Sequence, residues 1–194
     1  MSAPSSSSKP SVWNVPNALT VLRIALVPVF VVVFVADDGG SSAMRIWAAV
    51  IFVVAIATDW LDGDLARRQG LVTDFGKIAD PIADKALTGA ALICLSLLGE
   101  LAWWVTVVIM VREIGITVLR FVIIRRGVMP ASRGGKLKTA LQSVGLVLLI
   151  LPLTGLLHLL GLVVMYAALA VTVVTGIDYL AQAWRIWRGS DVAA

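Results

Sequence analysis

Thr58-Asp59-Trp60-Leu61-Asp62-Gly63-Asp64-Leu65-Ala66-Arg67 and, a few residues on, Gly76-Lys77-Ile78-Ala79-Asp80-Pro81-Ile82-Ala83-Asp84-Lys85 form the acidic centre of an otherwise apolar chain. Apolar runs flank them at about 44–63 and 79–98. Each run has roughly the 20 residues that a helix needs to cross a bilayer. The acids therefore lie where one span ends and the next begins. Asp59 and Asp62 are three apart, and Asp80 and Asp84 four apart, so each pair shares a helix face. A short connection makes the two helices antiparallel neighbours, which lets the four carboxylates converge.

Working outward, four further apolar runs appear at about 17–36, 101–124, 139–156 and 161–183, the last two divided by Pro152, Gly155 and Gly161. Strict two-residue alternation is absent, so the spans read as helices rather than barrel strands. The fold class is all-α, a polytopic membrane protein with six transmembrane helices. Composition agrees: of 194 residues, 59% are hydrophobic and 14% charged, and the mean hydropathy is +0.95. These values exclude a disordered chain, a disulfide scaffold and an ordinary cytosolic enzyme. One domain is expected over 13–188, between a Ser/Pro-rich tail at 1–12 and a short tail at 189–194. The tail reads as disordered and not as a signal peptide. Cys94 reads as core or lipid-facing filler.

The net charge of +4 follows loop topology and calls for no nucleic acid. Arg67, Arg68 and Lys77, then Arg125, Arg126, Arg133, Lys136 and Lys138, then Arg185 and Arg188 fall on one side of the six-span scheme. Asp37, Asp38 and Glu100 fall on the other, with Arg45 as its only base. The bias places both termini and the acidic motif on the cytoplasmic side of the cell membrane. All seven tryptophans lie near span ends, as an interfacial belt requires.

Carboxylates at membrane depth are costly, about 2.5–3.5 kcal/mol for one Asp at a helix centre and less near the interface. Four together repel one another and need cations. Only Arg67 and Lys85 sit beside them at helical spacing. An all-oxygen donor set favours Mg²⁺, Mn²⁺ or Ca²⁺ over zinc. Four such acids suit two metals clamping a phosphate chain. Asp64 and Asp74 read instead as solvated helix ends.

The pattern Asp-x2-Asp-Gly-x2-Ala-Arg-x8-Gly-x3-Asp-x3-Asp, through Asp59, Asp62, Gly63, Ala66, Arg67, Gly76, Asp80 and Asp84, resembles the signature of the CDP-alcohol phosphatidyltransferase family. The resemblance implies that family's six-helix membrane fold and its reaction, transfer of a phosphatidyl or related group from a CDP-linked donor to an alcohol with release of CMP. It implies that Asp59, Asp62, Asp80 and Asp84 hold two divalent ions, Mg²⁺ or Mn²⁺, and that Asp84 is also the general base. It implies that Gly63 and Ala66 let the nucleotide approach the helix, that Arg67 meets the diphosphate, that Gly76 leaves room near the cytidine and that Thr73 is a lesser nucleotide contact. Asn17, Thr20 and Arg23 match family positions that help to hold the nucleotide. A homodimer is implied by the family alone.

Asn17 is placed to cap the first helix. Arg23 reads equally as a residue snorkelling to the interface. In the fourth run Arg112 and Glu113 are adjacent, point differently on a helix, and serve either function or interhelix ion pairs; Arg120 lies further on. Gly135-Lys136-Leu137-Lys138-Thr139-Ala140-Leu141-Gln142 reads as a lipid-headgroup contact or as a phosphate site. Together with Pro16-Asn17-Ala18-Leu19-Thr20 and Arg23, these stretches resemble the branch of the family whose donor is CDP-diacylglycerol and whose acceptor is sn-glycerol 3-phosphate. Arg112, Arg133 and Lys136 are the expected acceptor-phosphate residues. Branches that make cardiolipin or use an inositol phosphate are the alternatives; a divalent-cation transporter would explain the acids but not Gly63, Ala66, Arg67 and Gly76. His158 reads as a solvated loop residue and Asp178 as a partner for a base on another helix.

Overall fold

A computed structural model describes residues 14–69, 73–123 and 133–191. The tail at 1–12 lies outside them. The described residues form six α-helices: α1 Val15–Val35, α2 Ser42–Gln69, α3 Asp74–Leu97, α4 Trp103–Ile123, α5 Arg133–Ile150 and α6 Gly155–Asp191. Among the described residues there is no strand.

The helix ends explain where the expected boundaries moved. Asn14, not Asn17, caps α1: its side chain accepts from the Asn17 N–H at 2.9 Å, and Pro16 occupies the first turn, where its missing N–H costs nothing. Helix α2 continues past the expected end at 63 to Gln69, and α3 starts at Asp74 rather than 79. The acidic motif is therefore carried on two helices and not on a loop. Thr73 caps α3 by accepting from the Gly76 N–H at 3.1 Å. Beyond the end of α3 at Leu97, Gly99 takes a φ of +74° that lets the Glu100 N–H turn back to the Leu95 carbonyl at 2.9 Å. Helix α5 is displaced toward the N-terminus of its expected span, ending at Ile150 before Pro152, and α6 begins at Gly155.

Packing is organised by α1, which lies against both α2 and α3, while α5 pairs with α6 and α4 packs on α3 and α6. Helices α2 and α3 do meet, but more narrowly than either meets α1. Phe30 and Phe34 of α1 stack at 5.5 Å and Phe30 meets Phe52 of α2 at 5.7 Å, both ordinary aromatic pair distances. Leu92 and Leu95 of α3, Ile109 of α4, Leu146 and Leu149 of α5 and Met165 of α6 complete the core. Cys94 is buried there.

The outside is apolar. Val32, Trp47, Val111, Val174 and Leu156 are all more than half exposed, an arrangement that water penalises and lipid does not. By length and composition, three helices among the described residues qualify as spans, at Asn17–Gly39, Ser42–Asp59 and Gly155–Arg185. Trp47, Trp103, Trp104, Trp184 and Trp187 are exposed, as an interfacial belt needs.

The end away from the acidic motif is tied by Arg45 of α2. Its guanidinium forms a forked pair with Glu100, and donates from Nε to the Ile150 carbonyl at 3.0 Å and from Nη2 to the Leu149 carbonyl at 2.6 Å. One cation thus satisfies the open carbonyl end of α5 and the α3–α4 turn together. His158 lies in the first turns of α6, not in a loop, with Nδ1 3.9 Å from Glu100. Gly39 in the α1–α2 turn has φ +72°, and a Cβ there would meet Leu98 Cδ1 at 2.7 Å. Both facts favour glycine at this close approach.

Candidate functional site

The buried stripes of α1 and α5 are apolar toward the Arg45 end and polar toward the other. In α1 the stripe runs Phe34, Phe30, then Arg23, Thr20 and Asn17, all five buried. Two of the three polar residues bind acids of the motif and the third binds the cap of α3. Arg23 donates from Nη1 to Asp59 Oδ1 of α2 at 2.5 Å. Thr20 donates its hydroxyl proton to Asp80 Oδ1 of α3 at 2.5 Å. Asn17 Oδ1 accepts from the Thr73 hydroxyl at 2.9 Å. Arg23 does not snorkel: it is 1% exposed. A guanidinium this deep is held by its carboxylate partner, because an unpaired one would be strongly disfavoured.

Gly76 sits under this arrangement. A Cβ there would lie 3.1 Å from Asn17 Oδ1 and 3.7 Å from Asp80 Oδ2. The bare backbone lets the start of α1 close on the start of α3.

Asp59 is close enough to Asp80 and Asp84 to feel both charges. Asp84 is exposed and faces the open space. The donors are all carboxylate oxygens, which suits a hard divalent cation. Among the described residues no three His, Cys, Asp or Glu side chains already form a metal cage. The side chains of Asp62, Ala66 and Arg67 fall outside the described set, as do those of Arg120 and Arg133; Gly63 lies on the continuous α2 helix.

Two adjoining cavities share Asp84, Lys85, Glu113 and Lys138. The inner one, about 90 Å³, also touches Asp59, Thr88 and Gln142. The outer one, about 730 Å³, also touches Arg112, Lys136 and Tyr179. Glu113 is their shared anchor. Its Oε1 accepts from Lys138 at 2.7 Å and from Arg112 at 2.7 Å, and its Oε2 lies 3.8 Å from Lys85. Arg112 and Glu113 therefore pair with each other, against the expectation from adjacency. Long side chains reach where their Cβ directions diverge. Arg112 also donates to Thr175 Oγ1 at 2.9 Å and lies over the Tyr179 ring at 5.8 Å, both on α6. Asp178 accepts from Gln182 within α6 at 2.8 Å, and among the described residues no base on another helix is bonded to it.

Lys136 is the expected phosphate residue of this stretch, but Lys138 is the one at the centre of the site. Lys136 is exposed at the outer cavity, whereas Lys138 and Gln142 are buried. Helical phase carried that signal: 138, 142, 146 and 149–150 continue one buried stripe of α5, and 136 is off it. Lys85, Glu113 and Gln142 were likewise not assigned to the site.

The sequence profile described as CDP-alcohol phosphatidyltransferase matches residues 13–174. A Mycobacterium tuberculosis protein named "Probable phosphatidylglycerophosphate synthase" is 55% identical over 172 residues, covering 89% of this chain and 82% of that protein. A Bacillus subtilis protein named CDP-diacylglycerol–glycerol-3-phosphate 3-phosphatidyltransferase is 35% identical over 192 residues, covering 92% of this chain and all of that protein. A Rickettsia bellii protein of the same name is 37% identical over 171 residues, covering 86% and 93%.

Proposed function

Because this chain belongs to the CDP-alcohol phosphatidyltransferase family, we propose that it transfers the phosphatidyl group of CDP-diacylglycerol to sn-glycerol 3-phosphate, giving phosphatidylglycerophosphate and CMP. The acceptor's primary hydroxyl oxygen attacks the phosphorus that carries diacylglycerol. The bond from that phosphorus to CMP breaks, and Asp84 takes the hydroxyl proton. Asp84 suits this task because it is exposed, faces both cavities and has no basic side chain bonded to it among the described residues.

Asp59, Asp62, Asp80 and Asp84 would hold two divalent ions, Mg²⁺ or Mn²⁺, which when bound neutralise the donor's diphosphate and the charge passing to CMP. Thr20 and Arg23 orient Asp80 and Asp59 through the bonds described above. Arg67 would meet the diphosphate, with Gly63, Ala66, Thr73 and Gly76 shaping the nucleotide's seat beside Asn17. The acceptor phosphate lies in the outer cavity. Lys138 and Lys85 join Arg112, Arg133 and Lys136 as its partners. The protein spans the cell membrane six times, with termini and site cytoplasmic, and acts as a homodimer, as the family implies.

One observation carries the reading: Asp84 faces the same space as Lys85, Lys138 and Arg112. A proton acceptor and a cluster of cations are what a phosphorylated alcohol requires. The test uses purified protein with CDP-diacylglycerol, Mg²⁺ or Mn²⁺ and a panel of alcohols, identifying lipid products by mass. Glycerol 3-phosphate is the expected acceptor. Better turnover with phosphatidylglycerol, or equal turnover with unphosphorylated glycerol, overturns the acceptor.

A further inference from the structure

Gln142 of α5 stands out in the inner cavity. It is 3% exposed, and its Oε1 has no hydrogen-bond partner among the described residues. A buried, unmet amide oxygen costs about 1–3 kcal/mol, so it marks a place where a ligand donor is wanted. The cavity it lines also holds Asp59, Asp84 and Thr88, and at about 90 Å³ it admits a group of only a few heavy atoms. A nucleotide does not fit. The hydroxyl-bearing end of a small polyol does.

We propose that Gln142 is a specificity-determining residue that accepts a hydrogen bond from the non-reacting hydroxyl of the acceptor alcohol. The proposal rests on the acceptor reading above and deepens it. Lys138 lies one helical turn from Gln142 and lines both cavities. An acceptor whose phosphate sits by Lys138 in the outer cavity extends its carbon chain into the inner one. The terminal hydroxyl then meets Asp84, and the middle hydroxyl has Gln142 as an acceptor. An alcohol lacking that hydroxyl leaves the amide oxygen unmet, and sites built to bond a hydroxyl reject such analogues strongly.

The experiment compares glycerol 3-phosphate with 3-hydroxypropyl phosphate, which lacks only the middle hydroxyl. Both are tested with purified wild type and Gln142→Leu, measuring kcat/KM for each acceptor and the thermal midpoint. Wild type should prefer glycerol 3-phosphate by at least about tenfold. Gln142→Leu should reduce the preference to within about threefold, through loss of activity on glycerol 3-phosphate. Its midpoint should stay level or rise, since the lost oxygen bonded nothing in the protein. A variant that keeps the preference, or whose midpoint collapses because the amide has a structural role, overturns the proposal. A wild type active on glycerol 3-phosphate but indifferent to the middle hydroxyl does so too. A wild type that uses neither phosphate but turns over another alcohol overturns the acceptor reading itself.

Discussion

Replacing Thr20 by valine removes one hydroxyl and keeps the shape of the side chain. That hydroxyl donates to Asp80 Oδ1 at 2.5 Å in a buried setting. A hydrogen bond to a charged group is worth about 1.5–3 kcal/mol, or roughly ten- to a hundredfold in an equilibrium constant. Loss of an outer partner of a metal-binding carboxylate has the same scale in metal affinity. Thr20→Val should therefore raise the Mg²⁺ or Mn²⁺ concentration for half-maximal activity by about ten- to a hundredfold. The KM for CDP-diacylglycerol at saturating metal should change little, and Thr20→Ser should restore most of the loss. The measurement is a metal titration of detergent-purified protein, paired with direct Mn²⁺ binding after chelator treatment. An unchanged metal requirement with a raised donor KM would refute the reasoning and return Thr20 to direct nucleotide contact.

Asp84→Asn should fold normally and lose kcat by about a hundredfold or more, because an amide cannot take the hydroxyl proton; steady-state turnover alongside a thermal melt checks this. Lys138→Gln should raise the acceptor KM by about ten- to a hundredfold while leaving the donor KM within a few-fold, as read from kinetics in neutral detergent that offers no anionic bilayer. Arg45→Met should do the reverse. It removes a cation that binds Glu100 and two carbonyls far from the acids, so the melting temperature should drop by several degrees, reflecting at least about 2 kcal/mol, with both KM values preserved.

The helices and the acidic motif were legible because each depends on local pattern. Apolar length marks a helix in lipid, and Asp spacing of three and four marks a shared face. What escaped the sequence depended on how far side chains reach. Asn14 takes the cap because Pro16 fixes the first turn there, three residues before the expected Asn17. Arg112 and Glu113 meet because two long side chains bend toward each other. Arg23 reads equally as a snorkelling base and as a site residue from local pattern, because the partner that decides it lies 36 residues on. Lys138 was within reach of sequence reasoning, since its phase matches Leu146, whereas the neighbouring Lys136 lies off that stripe.

The bonds from α1 to the acids bear on how the chain is assembled. Synthesis proceeds from the N-terminus, so Arg23 and Thr20 enter the bilayer before Asp59 and Asp80 emerge. Each later helix delivers its carboxylate to a counterpart already in place. Asp59 then meets a cation and Asp80 a hydroxyl donor on arrival, instead of waiting unpaired in hydrocarbon, where a lone carboxylate would resist insertion. Helix α1 thus serves as the template on which α2 and α3 are received. A copy of the protein beginning at α2 would have to integrate Asp59 and Asp80 without that guide, even though α1 contributes no acid of its own to the motif.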